Sequence, residues 1–178
     1  MHTVEAFLAL YDAINEQKYL KRAGRIIDRV ISWAKDNNWR IPEHFTSDWV
    51  ADLECNKDKP DDPFKPYGAT PGHGIEWGRL ITQWACATYK DSDEKNAYID
   101  AAKNLYNQAI TDAWNADGAP GIAYTTDWEG KPVVHDRMHW TSNRMSEFDV
   151  QHNKCNYSGW NKLTWHCSCC FMGFGRKV

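Results

Sequence analysis

One short pattern occurs twice in this chain and constrains its architecture more than any other feature. Residues 2–5 read His-Thr-Val-Glu, and residues 73–76 read His-Gly-Ile-Glu. Each copy opens a stretch with helical periodicity, and each is followed by a second such stretch. Positions i and i+3 share one face of a helix, so each motif sets an imidazole beside a carboxylate. The copies are 71 residues apart, and each unit is two helices plus a long connection. Helical hairpins of this kind bury little alone and are stabilised by stacking on neighbours. An all-α architecture follows, with two His/Glu pairs aimed at a common space. That arrangement suits proton transfer on a polar substrate.

The elements can be placed along the chain. Val4, Phe7, Leu8, Tyr11 and Ile14 form the apolar stripe of a first helix over 2–15. A second helix over 17–36 turns Leu20, Ala23, Ile27, Val30, Ile31 and Ala34 inward. Pro42, Pro60, Pro63 and Pro66 keep residues 37–70 out of helix, and 40–50 reads as a short strand pair. Thr70-Pro71 is a good helix start, a capping hydroxyl before a proline at the first helical position. His73 then falls in the first turn, where the helix dipole disfavours imidazolium, and Glu76 one turn later can orient the ring. Asp91-Ser92-Asp93 caps a fourth helix over 93–114, whose stripe includes Tyr98, Ala102, Leu105, Ala109, Ile110 and Ala113. A β-hairpin is expected over 121–134, from strand Ile122–Thr126 through a turn at Trp128-Glu129-Gly130 to strand Pro132–Val134. A fifth helix is expected near Arg137.

Composition narrows the function. A net charge of −3 lacks the basic stripe of a nucleic-acid binder. No apolar run approaches the roughly 20 residues that cross a bilayer, and the first residues lack the pattern of a secretion signal. A cytoplasmic location is the resulting default. Ten tryptophans are many for 178 residues; they serve as core or groove-lining groups, and their faces also stack on sugar rings.

Several motifs in order then resemble one family, the N-acylglucosamine 2-epimerase family. They are Met1-His2-Thr3-Val4-Glu5-Ala6-Phe7-Leu8, Pro66-Tyr67-Gly68-Ala69-Thr70-Pro71-Gly72-His73-Gly74-Ile75-Glu76-Trp77 and Asp112-Ala113-Trp114. Asp127-Trp128-Glu129-Gly130-Lys131-Pro132 and Arg137-Met138-His139-Trp140 continue the likeness. The Thr-Pro-Gly-His-x-x-Glu-Trp form is most similar to the bacterial aldose–ketose isomerase branch, which includes mannose and sulfoquinovose isomerases.

The resemblance implies a partial (α/α)6 barrel with a small β-hairpin, taking residues 1–140 as the barrel domain. It implies proton transfer beside a carbonyl through a cis-enediolate, with a monosaccharide as substrate and no metal or redox cofactor. By the same resemblance His73 is one of two acid/base histidines, and Glu76 is the carboxylate that binds sugar hydroxyls. His2 is expected to contact substrate, with Glu5 supporting it. Lys65 stands where relatives often carry Arg, and Trp128 lies where relatives offer an aromatic to the ligand. Hairpin packing is an equal expectation for Trp128, and a structural interior place is favoured for His139 and Trp140. Glu43 and His44, in the long connection, read equally as solvated, lid-forming or catalytic.

Residues 141–178 depart from the pattern, with poor periodicity and a Cys-rich end, as expected of a divergent or frameshifted tail on an internal fragment. His152, Cys155, His166, Cys167, Cys169 and Cys170 fit the spacing of a structural zinc site poorly. An incomplete ring would expose apolar helix faces, so poor solubility, a partly molten state or self-association is expected. Three other readings stay open: a sugar 2-epimerase, an inactive sugar-binding remnant, and a glycoside hydrolase using Glu5 and Glu76.

Overall fold

The computed structural model describes residues 1–141, 143–145 and 148. Two antiparallel helical hairpins form its body. The first pairs α1 (His2–Ile14) with α2 (Gln17–Asp36), and the second pairs α3 (Pro71–Thr88) with α4 (Asp93–Ala113). A two-stranded antiparallel sheet, β1 (Thr125–Thr126) and β2 (Pro132–Val134), follows α4. Residues 139–141, 143–145 and 148 are helical again.

The turn between α1 and α2 is two residues long. Asn15 takes the left-handed conformation at φ 53° and returns its N–H to the Tyr11 carbonyl at 2.7 Å, a role asparagine fills at low cost. α2 is amphipathic, and one face carries Leu20, Ala23, Ile27, Val30, Ile31 and Ala34 into the core. α3 is different: from Pro71 through Ala85 every position is buried except His73, Arg79 and Gln83, which are partly covered. A helix buried all round is a central element. Accordingly α3 meets α1, α2 and α4, and Gly78 faces Phe148 of the last helical segment.

The entry to α3 is fixed from two sides. Ala69 and Thr126 exchange backbone hydrogen bonds at 2.9 and 3.0 Å, tying the chain just before α3 to β1. Gly68 approaches the Thr126 carbonyl so closely, at φ 89°, that a side chain there would collide with it. Gly72 lies under the next segment, where a Cβ would sit 2.6 Å from both Trp140 and Thr141. The glycines of the Gly-Ala-Thr-Pro-Gly-His run therefore hold the first turn of α3 against β1 and Trp140.

Several local expectations are corrected. Thr70 is the N-cap residue of α3, but its hydroxyl makes no capping bond; its carbonyl accepts instead from the His73 and Gly74 amides at 2.9 and 3.3 Å. The cap expected of Asp91-Ser92-Asp93 on α4 does form, with Ser92 accepting from the Lys95 amide at 3.2 Å. The strand pair expected within 40–50 reduces to one bridge between Phe45 and Ala51, because the tight turn over Thr46–Val50 uses up the residues a ladder would need. Ile122 does not extend the hairpin: it bridges to Trp114 at the end of α4. The α1 stripe is only half buried. Val4 and Leu8 enter the core, while Ile14 is 50% exposed and Leu10 41%. The tail readings for 149–178, including the zinc residues, lie outside the described residues.

Candidate functional site

The N-terminal ends of α1 and α3 converge. One ligand atom each from His2, Glu5 and Glu76 lies within 4.8 Å of the others. His2 Nδ1 is 2.8 Å from Glu5 Oε2, so the first His-x-apolar-Glu motif closes on itself along the α1 face. Glu5 Oε1 accepts from Arg79 Nη2 at 2.5 Å, which joins α1 to α3. Burial pushes the Glu5 carboxyl up, but the His2 hydrogen bond and the Arg79 charge outweigh it and hold its pKa below the usual value.

Glu76 is buried, and two guanidinium groups stand over it. Arg144 Nη2 lies 3.1 Å from Glu76 Oε1, and Arg79 Nη2 lies 3.9 Å from the same oxygen. Neither is aligned to donate a hydrogen bond to it, so among the described residues Oε1 has charge partners but no hydrogen bond. That buried carboxylate oxygen therefore has unused acceptor capacity. His2, Glu5 and Glu76 are also the residues that could hold a metal ion. Two arginines already neutralise their carboxylates, which makes a divalent cation a weak competitor there.

His73 does not pair with Glu76 as expected. Its Nδ1 lies 2.6 Å from Glu43 Oε1, from the connection between α2 and α3. The imidazole also stacks on Trp140, with ring centroids 5.2 Å apart and planes inclined by 29°. Both members of the ion pair are mostly covered, with side chains 31% and 24% exposed. Burial favours the neutral imidazole. The Glu43 hydrogen bond and charge, with Glu76 behind, overcome that and raise the His73 pKa above 6.5. This corrects the expectation that the helix dipole keeps His73 neutral: a direct carboxylate contact outweighs a partial charge at a helix end.

The remaining candidates fall elsewhere. Lys65 is exposed in the long connection, where its amide donates to Asp62 and its carbonyl accepts from Asn56. Trp128 spends its indole N–H on the Leu53 carbonyl at 2.7 Å, stapling the β1–β2 turn to that connection. His44 bonds the Pro66 carbonyl at 3.2 Å. His139 is exposed rather than interior, and Trp140 is half-buried, stacked on His73.

Sequence reasoning assigns nothing to Arg79 and Arg144, and for Glu43 it leaves solvated, lid-forming and catalytic roles equally open. Arg79 had a signal, because His73, Glu76 and Arg79 step by three along one helical face. Glu43 and Arg144 arrive from segments without usable periodicity.

The central helix thus carries a carboxylate-held histidine, a buried Glu and Arg79 on one face, and Arg144 reaches the same Glu from a later segment. The chain belongs to the N-acylglucosamine 2-epimerase family, whose model matches residues 1–146. Over 143 residues it is 44% identical to a D-mannose isomerase of Pseudomonas cannabina pv. alisalensis, covering 79% of this chain and 34% of that protein. It is 40% identical over 141 residues to a D-mannose isomerase of Thermobifida fusca, again 79% of this chain and 34% of the relative. A crystal structure of a D-mannose isomerase superposes with a TM-score of 0.76 at 28% identity, over 85% of this chain and 38% of that one. The chain thus spans about a third of the length of the relatives it matches. No described helix is long and apolar enough to cross a membrane.

Proposed function

We propose that this chain carries the acid/base half of a monosaccharide isomerase site, acting on a D-mannose-like aldose. In this reading the two hairpins are a segment of an (α/α)6 ring, and residues 1–140 belong to one catalytic unit. Relatives named D-mannose isomerase support the substrate class. The observation that carries the reading is the juxtaposition of His73, held by Glu43 at 2.6 Å, with the buried Glu76 oxygen that lacks a hydrogen bond.

The chemistry follows from these groups. Glu76 Oε1 accepts a sugar hydroxyl, while Arg144 and Arg79 stand 3.1 and 3.9 Å from that oxygen as counter-charges. His73 takes the proton from C2 of the open-chain aldose. The C–H electron pair becomes the C1–C2 double bond, and the carbonyl oxygen becomes the enediolate oxygen. Return of a proton to C1, with movement of the hydroxyl proton from O2 to O1, gives the ketose. Return to C2 from the opposite face gives the epimer instead, so the 2-epimerase reading uses the same base. A second acid/base histidine is what the family resemblance implies from outside this segment.

The raised pKa of His73 suits a group that must both take and return a proton near neutrality. The test is incubation of the chain with D-mannose in heavy water. Deuterium at C1 or C2, with fructose as product and loss of both in His73→Gln, is the expected result. Glucose as product would move the chain to the epimerase reading. Neither exchange nor a saturable mannose-dependent shift of the His73 resonance would overturn the proposal.

A further inference from the structure

We infer that Glu43 is the positioning residue of this site: it accepts the Nδ1–H of His73 and so leaves Nε2 as the nitrogen that exchanges protons with a ligand. The inference rests on the proposed role of His73 as the base, and adds which atom acts and what directs it.

An ionised carboxylate only accepts hydrogen bonds, whereas neutral imidazole has one donor and one acceptor nitrogen. With Glu43 Oε1 2.6 Å from Nδ1, the single proton of the neutral ring belongs on Nδ1. The lone pair is then on Nε2. A charge-assisted bond this short is among the stronger side-chain contacts. Nucleophile and base sites repeat the same logic, in which a third group fixes the ring nitrogen that does not react.

The ring is constrained in two further ways. Trp140 stacks on its face, which limits rotation out of the plane set by Glu43. Trp140 can approach because residue 72 is glycine. Glu43 itself is restrained by its neighbours in the chain: Ile41 is buried beside it, and His44 is tied to the Pro66 carbonyl. A side chain from an otherwise irregular connection is thereby delivered to the first turn of the central helix.

Other charged groups face the pair, and they sharpen the test. Glu76 lies on α3 itself, the Met1 amino group approaches from α1, and Tyr124 feels the Glu43 charge from the segment before β1. Glu76 acts on the proton affinity of His73 in the same direction as Glu43, but it makes no hydrogen bond to the ring and cannot choose its tautomer. Removing the Glu43 charge must therefore change both tautomer and affinity, whereas removing the Glu76 charge must change affinity alone.

The experiment is a nitrogen- and carbon-detected titration of His73 in the full chain, comparing wild type, Glu43→Gln and Glu76→Gln. Wild type is expected to show the Nδ1–H tautomer. Glu43→Gln is expected to titrate at lower pH and to lose that single tautomer, with helicity retained. Glu76→Gln is expected to keep the tautomer. In the exchange assay Glu43→Gln should lower turnover by about ten- to a hundred-fold with little change in KM, less than the roughly 10²–10⁴-fold loss on removing the base. An unchanged tautomer in Glu43→Gln overturns the inference. Should wild type show neither deuterium exchange nor a mannose-dependent shift of His73, the functional reading fails, and the titration still decides the role of Glu43. If Glu43→Gln disturbs helicity, Glu43→Asp serves instead: one methylene shorter, it keeps the charge and is expected to restore the affinity only in part.

Discussion

Arg40 grips Asp112 with two parallel hydrogen bonds, Nε to Oδ2 at 2.7 Å and Nη2 to Oδ1 at 2.9 Å, between residues 72 apart in sequence. The pair is almost wholly covered, with side chains 9% and 7% exposed. Gln108 adds a third bond to Asp112 at 2.7 Å, and Gly130 packs directly against both partners. The pair joins the start of the long connection, the end of α4 and the β1–β2 turn, and so braces the segment that delivers Glu43.

Breaking this pair on one side strands a buried charge. Arg40→Met is expected to lower unfolding free energy by about 3–5 kcal/mol, because Asp112 loses its counter-charge. The double variant Arg40→Met/Asp112→Leu should recover much of that loss, since an apolar pair of similar volume needs no compensation. Urea denaturation of the three chains checks this; equal losses in single and double variants would refute it.

The packing of α2 on α3 turns on one glycine. Trp84 donates its indole N–H to the Leu20 carbonyl at 2.8 Å, which lays the ring flat over Gly24, where a Cβ would meet it at 2.5 Å. Neither partner can yield easily, because Leu20 and Trp84 are both buried. Gly24→Ala gains helix propensity of about 1 kcal/mol, yet overpacking costs about 1–3 kcal/mol. A net loss of stability is expected, together with a changed near-ultraviolet circular dichroism signal from the tryptophans. An unchanged melt would show that the α2–α3 spacing adjusts freely.

The uneven legibility of this chain has a physical cause. α2 was readable to the residue because its apolar stripe and its burial coincide. α3 was readable through Pro71 and the motif glycines, whose need for space is a local property that the structure traces to Thr126, Trp140 and Thr141. α1 was readable as a helix but not as a buried one: periodicity places Ile14 on the apolar stripe, whereas tertiary contacts decide whether anything covers it. The site divides the same way. His2, Glu5, His73 and Glu76 announce themselves by helical spacing. Glu43 is a candidate there only by its place in the long connection, since residues 37–70 carry no period that fixes where a side chain points.

The half-covered face of α1 has a consequence in solution. Leu10 and Ile14 stand on its outer side, 41% and 50% exposed, and Trp49 and Phe64 add 71% and 90% exposure on the long connection. The chain on its own is expected to associate with rising concentration, as exposed apolar surface promotes. Sedimentation over a concentration series measures this. Leu10→Glu with Ile14→Lys should shift the distribution toward monomer without lowering helicity, and no shift would mean that α1 is not the associating surface.

The His73–Glu43 pair makes a signed prediction about pH. The folded-state pKa of His73 is raised above its ordinary value of 6.5. A raised histidine contributes stability that is fully present below its unfolded pKa, and that stability is lost as pH rises through the folded value. Wild type should therefore exceed His73→Gln in melting temperature by more at about pH 6 than at about pH 8.5. The same displacement governs catalysis in the opposite sense, because the base must be unprotonated: exchange into mannose should rise with pH through the folded pKa. Glu43→Gln removes the charge that sustains both effects, so its activity limb should move to lower pH and its stability advantage near pH 6 should shrink. Thermal melts and pH–rate profiles of wild type and Glu43→Gln measure the two consequences separately. Parallel pH–rate limbs at the same midpoint would mean that the carboxylate at 43 does not set the proton affinity of His73.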